Sequence, residues 1–219
     1  MRRLGLLLGV AALGVVAFFA VPALAGPGGT TMCTGELAPG TYQRVVVPQD
    51  AVCLSAGPLR IRSGLFVQQG ATFVLGDEEH PGDSGTIGGG VHSTNAMNVQ
   101  LHFVTINGGV DLHGGSGAFG GPFDVTWNAI EDSQITGGVN EIGYNGFWNG
   151  FIRNTVNGSV NLNDNVVVDP DGNEFVTNTI HGNLNCSGND PAPPDRRFRR
   201  LAECRDRQED RSVRRALGL

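Results

Sequence analysis

Lysine is absent from the 219-residue chain, so no side-chain amine is available to abstract a proton. Helical patterning is nearly absent too. Between Gly26 and Asp195, Gly and Asn punctuate every window and apolar residues come in short alternating runs, which excludes long amphipathic helices. The histidines His80, His92, His102, His113 and His181 show no metal-ligand spacing and no Cys partner. None stands beside a visible nucleophile, so a Ser-His-Asp reading has no support.

What is present begins with a targeting pattern. Arg2 and Arg3 precede the apolar run Leu4 to Val21, and Ala23-Leu24-Ala25 supplies an A-x-A cleavage site. Small residues directly after the apolar core favour a cleaved signal peptide, residues 1–25, over a retained anchor. The expectation is a secreted or cell-surface protein with no stable membrane anchor. In that oxidising setting Cys33, Cys53, Cys186 and Cys204 read as disulfides, Cys33 with Cys53 and Cys186 with Cys204. Residues 26–195 carry 4 Arg and 17 acids, whereas residues 196–219 carry 9 Arg and 4 acids. An acidic body repels phosphates, so nucleic acid is not an expected partner.

The main signal is a repeated phrase: an aliphatic residue, small or polar residues, then Val or Leu. It occurs at Ile61–Leu65, Ile87–Val91, Ile106–Val110, Ile135–Val139, Val156–Val160 and Ile180–Leu184. Start-to-start spacings of 26, 19, 29, 21 and 24 residues suit one solenoid turn. The multiple Leu positions of leucine-rich repeats are missing, and six copies argue against an antiparallel sandwich. The predicted fold is an all-β, single-stranded parallel β-helix of about six to seven coils, right-handed by the crossover preference of parallel strands. In this reading each phrase places two aliphatic side chains inward around a left-handed Gly or Asn corner. Ser133, Asn154 and Asn178 precede their phrases at matching offsets and are expected to hydrogen-bond along the stack. Residues 26–58 form the N-terminal cap and first coil, 59–190 the β-helix, and 191–219 a basic tail.

The signal peptide, the Cys33…Cys53 opening, the T-[IV]-x-G-x-[VL] phrase and the closing Gly182-Asn183-Leu184-Asn185-Cys186-Ser187-Gly188-Asn189 resemble secreted bacterial right-handed parallel β-helix repeat proteins over residues 30–194. The resemblance implies the fold; most such proteins have no assigned function. It also implies a Gly-rich C-terminus closing on Gly-Gln-Cys, where this chain has Asp195-Arg196-Arg197-Phe198-Arg199-Arg200. G- and C-rich codons read one base further on permit such an ending. The tail therefore reads as a frame change near Pro193-Pro194, which would deprive Cys186 of its usual partner. The alternative is a true basic tail, disordered or helical.

Chemical candidates are sparse. Arg44, Arg60, Arg62 and Arg153 are the only cations between residues 26 and 195, and Arg153, beside a corner, reads as a solvated or stacking side chain. Glu131 and Asp132 are adjacent, so strand alternation would send them to opposite faces. Asp77-Glu78-Glu79-His80 reads as a solvated loop. Asp169, Asp171 and Glu174 are weak metal candidates in a Pro-Asp-Gly turn that lacks EF-hand spacing. Tyr144, Phe147 and Trp148, in a Gly- and Asn-rich stretch, are candidate sugar-stacking residues; Trp127 reads as packing. No catalytic set and no cofactor is expected. The favoured role is non-enzymatic, structural or interactive, with cell-wall or extracellular glycans as partners. The alternatives are a polysaccharide lyase, a glycoside hydrolase or a glycan-binding module.

Overall fold

A computed structural model describes residues 24–26, 29–55 and 57–193; the tail from residue 194, including Cys204, and all but the last two residues of the leader lie outside them. The regular elements of the described residues are all strands except for a 3-10 turn at Gly121–Phe123. Three sheets, A, B and C, form the faces of a parallel β-helix. Each coil visits A, then B, then C. The first runs through Thr30–Met32, Glu36–Leu37 and Gly40–Tyr42, and the seventh through Val160–Asn163, Asn173–Val176 and Thr179–Ile180. Leu184–Ser187 opens an eighth turn. All strand pairings are parallel except that of Leu24–Gly26 with Thr30–Met32. The expected cleavage point after Ala25 falls inside that short strand.

The six phrases are successive rungs of the corner from sheet C to sheet A. Ile61, Ile87, Ile106, Ile135, Val156 and Ile180 stack in register, as do Leu65, Val91, Val110, Val139, Val160 and Leu184. All are buried except Ile180 and Leu184, which are half-buried in the last turns. Cys33 and Cys53 are buried and bonded to one another. Cys186 is also buried. The predicted side-chain ladder is present: Ser133 Oγ accepts from Val104 N at 3.0 Å, Asn154 Oδ1 from Ser133 N at 3.0 Å, and Asn178 Oδ1 from Asn154 N at 2.8 Å.

One expectation needs correction. The phrase glycines do not adopt positive φ. They are small because the preceding coil's backbone lies against them: a Cβ on Gly108 would stand 2.6 Å from the Gly89 carbonyl, and one on Gly137 would stand 2.6 Å from Gly109 N. The left-handed corners lie elsewhere. After the sheet-B strands they fall at Phe103, Asp132, Arg153 and Thr177, with φ between 50° and 61°.

Unequal spacings are absorbed by loops flanking sheet B. Residues 76–84 leave the third coil after Thr72–Leu75, while residues 114–126, 143–147 and 164–172 enter the fifth to seventh coils. These loops turn the outer face of sheet B into a groove.

Candidate functional site

Four sheet-B strands build the groove floor: Asn98–His102, Trp127–Glu131, Trp148–Ile152 and Asn173–Val176. Alternation along each strand sends Val99, Leu101, Ile130, Phe151 and Phe175 into the core. It leaves Gln100, His102, Trp127, Ala129, Glu131, Trp148, Ile152 and Glu174 facing outward, where with Asp77, Glu78 and Arg153 they line a space of about 520 Å³.

The two tryptophans are register partners on adjacent rungs. The Phe123 ring stacks on Trp127 at 5.4 Å and 12°. The six-membered ring of Trp148 fills the place a side chain on Gly150 would take, so the indole lies along the sheet surface. A residue larger than glycine at 150 would lift that ring away.

At the opposite end, Arg153 organises the carboxyl groups. Its Nε and Nη2 each donate to Asp132 at 2.7 Å, and Nη2 also reaches Glu78 Oε1 at 3.0 Å and Glu131 Oε2 at 3.2 Å. Loop 76–84 delivers Glu78; Asp77 shapes it by accepting from the backbone N–H groups of Glu79 and His80. Arg153 adopts φ 56°, a left-handed conformation that costs a non-glycine residue on the order of 1 kcal/mol. Asp132, at φ 50°, stands in the same corner one coil earlier.

The carboxyl groups of Glu78 and Glu131 lie within hydrogen-bonding reach of each other, so the pair favours holding one proton. Glu131 is 6% exposed and Glu78 61%, which decides its owner. Burial, reinforced by Glu78, pushes Glu131 up to about 8. The Glu131 hydrogen bond and Arg153 hold Glu78 below the usual carboxylate range. Burial lowers His102, keeping its imidazole neutral near pH 7. Gln100 and His102 are each 7% exposed, and Gln100 Nε2 and His102 Nδ1 have no hydrogen-bond partner within the described protein.

Sequence-derived candidates scatter across this geometry. Trp148 lies in the groove. Phe147 sits beside it in the chain and meets Phe119 edge-on at 5.9 Å. Tyr144, 1% exposed, turns into the coil interior and so offers no stacking surface to a ligand. Trp127, read as packing, is a groove wall. Asp169 Oδ1 accepts from Asp171 N at 3.0 Å in a turn, whereas Glu174 lines the groove. No cluster of three His, Cys, Asp or Glu side chains suited to a metal occurs among the described residues. Glu131 and Asp132 do converge, against the alternation argument, because the strand ends at Glu131 and the left-handed corner turns Asp132 to the same guanidinium. Arg153 is accordingly a cross-link rather than a free surface cation.

The fold and groove define a class: a parallel β-helix with an aromatic and carboxyl-lined cleft on one outer face. Compared with protein-family models, curated proteins and solved structures, the chain matches none.

Proposed function

We propose that the protein is exported and acts outside the cell as an interaction module that binds a neutral or amino-sugar glycan in the sheet-B groove. The observation that carries this reading is Trp148, laid over Gly150 beside Trp127 and surrounded by polar groups. An indole along a sheet surface offers an apolar face to the C–H face of a pyranose, while Gln100, His102 and the carboxyl groups can bond its hydroxyls. Charge narrows the ligand. Asp77, Glu78 and Glu174 line the groove and Asp132 stands at its edge, with Arg153 the one arginine in the lining and His80 paired to Asp77, so a polyuronate is repelled and a glucosamine unit is favoured.

Export is supported by the leader pattern and by the Cys33–Cys53 bond, which suits an oxidising compartment. Among the described residues no helix is long and apolar enough to cross a membrane. The test is calorimetric titration with cellohexaose, chitohexaose, glucosamine hexamer and polygalacturonate. Binding of one of the first three, lost in Trp148→Ala while the melting curve is kept, is the expected result. Preference for polygalacturonate, or undiminished binding by Trp148→Ala, overturns it. N-terminal sequencing of the exported protein should begin at Gly26.

A further inference from the structure

The geometry points to hydrolysis in the same groove: Glu131 protonates the glycosidic oxygen, and the Glu174 carboxylate activates the water that attacks the anomeric carbon from the opposite face. This rests on the glycan reading and goes beyond it, from holding a sugar to cleaving it.

Hydrolysis with inversion needs an acid and a base about 6.5–9.5 Å apart, with sugar and water between them. The register supplies such a pair. Glu131 pairs with Ile152, while Glu174 pairs with Gly150, so the two stand on one face, two strands apart and two residues displaced. Strand spacing and rise put their Cα atoms about 12 Å apart, from which side chains leaning over the floor can close to that range. Glu78 cannot be the second catalytic carboxyl group. It lies within hydrogen-bonding reach of Glu131, leaving no room for a sugar between them. Its place is that of a positioning residue: pinned by Arg153, it holds Glu131 in the protonated state.

The acid cluster does not stand alone. Gln100 and His102 are more than nine-tenths buried, line this cleft, and present Nε2 and Nδ1 without protein partners. Buried polar groups are normally satisfied, and these two nitrogen atoms, covered from solvent beneath the cleft, gain partners only if a bound ligand draws their side chains outward. On the strand between Glu131 and Glu174 stand Ile152 and Gly150, and the Trp148 ring lies over Gly150, so a sugar between the two carboxyl groups would rest on that ring.

The step balances. The Glu131 O–H bond breaks and its proton joins the glycosidic oxygen, which leaves with the C1–O electron pair. A water oxygen bonds to C1 and gives a proton to Glu174. One water is consumed, and Glu174 returns its proton through solvent as Glu131 regains one.

The test incubates the exported protein with cellohexaose, chitohexaose and glucosamine hexamer, follows products by mass spectrometry, and reads the new anomer by proton NMR. Cleavage with inversion is expected. Glu131→Gln and Glu174→Gln should each lower kcat by about 10²- to 10⁴-fold with binding kept within a few-fold. A dinitrophenyl glycoside of the cleaved sugar, whose leaving group needs no proton, should restore turnover to Glu131→Gln and not to Glu174→Gln. That split separates a proton donor from a residue that merely shapes the fold. Binding of a hexamer by the wild type without cleavage overturns hydrolysis and leaves the binding reading intact. Cleavage with retention overturns the role of Glu174. Failure to bind any of the three overturns both.

Discussion

Replacing Gly108 with Ala tests the stacking on which every other inference rests. The added Cβ would lie 2.6 Å from the carbonyl carbon and oxygen of Gly89 in the preceding coil. Comfortable contact needs about 3.5 Å, so the rungs must part locally by nearly 1 Å. Backbone cannot step aside as a side chain can. A hydrogen bond that ties these two rungs, Asn107 N to Ile87 O at 2.8 Å, must lengthen. Overpacking of roughly 1–3 kcal/mol, with about 1 kcal/mol for the weakened hydrogen bond, gives a loss of about 2–4 kcal/mol. For a chain of this size that lowers Tm by about 10 °C. Two controls separate the causes. Gly143 has φ +72° and nothing within 4 Å of its Cβ position, so Gly143→Ala should cost only about 1 kcal/mol, from backbone conformation. Gly35 has open space and no positive φ, so Gly35→Ala should be neutral. Thermal melts followed by circular dichroism would read all three. If Gly108→Ala melts with Gly35→Ala, the close approach of coils is wrong.

Three further outcomes follow from the side-chain chemistry. Glu141 is fully buried inside the sixth coil, and burial raises it to about 8, opposed by the Asn128 amide. Because the folded pKa exceeds the unfolded one, stability should fall between pH 4.5 and 8, by up to about 5 kcal/mol from this group. Urea unfolding should therefore show Glu141→Gln gaining on the wild type as pH rises through that window; parallel curves would contradict it. The Cys33–Cys53 bond closes a loop with a sequence separation of 20, so Cys33→Ser/Cys53→Ser should lose about 3 kcal/mol in denaturant titrations. Arg153→Ala should speed proteolysis of loop 76–84 at Glu78 or Glu79 by up to about fivefold, the effect of a surface pair worth roughly 0.2–1 kcal/mol. Unchanged cleavage would mean Arg153 does not hold that loop.

The fold was legible because a parallel coil repeats its inward positions. Ile61 and its five successors recur at the corner from sheet C to sheet A whatever length the loops add. The reason for the phrase glycines was not legible. Close approach of backbone and a left-handed φ both demand glycine, and only coordinates separate Gly108 from Gly143. The groove was legible in fragments. Trp148 stood out as an aromatic among Gly and Asn, but its Gly- and Asn-rich setting does not reveal that Tyr144 turns inward. Glu78 and Arg153 are 75 residues apart, and no local pattern joins them. Glu131 and Asp132 were misjudged because alternation holds within a strand and fails at its end. One signal was available. Arg153 follows its strand at the same offset as Asp132 follows the strand of the preceding coil, so the register alone places the two side by side. Glu141 gave no signal, since it occupies the inward place that Leu112 and Leu162 hold in neighbouring coils.

The most direct test of the central claim, that the outer face of sheet B is the functional surface, is a crystal structure of Glu131→Gln with whichever hexamer binds. A pyranose ring against Trp148 and a glycosidic oxygen beside residue 131 are expected. A sugar seated on the outer ladder Asp111–Asn140–Asn161 of sheet A, with the groove empty, would contradict it.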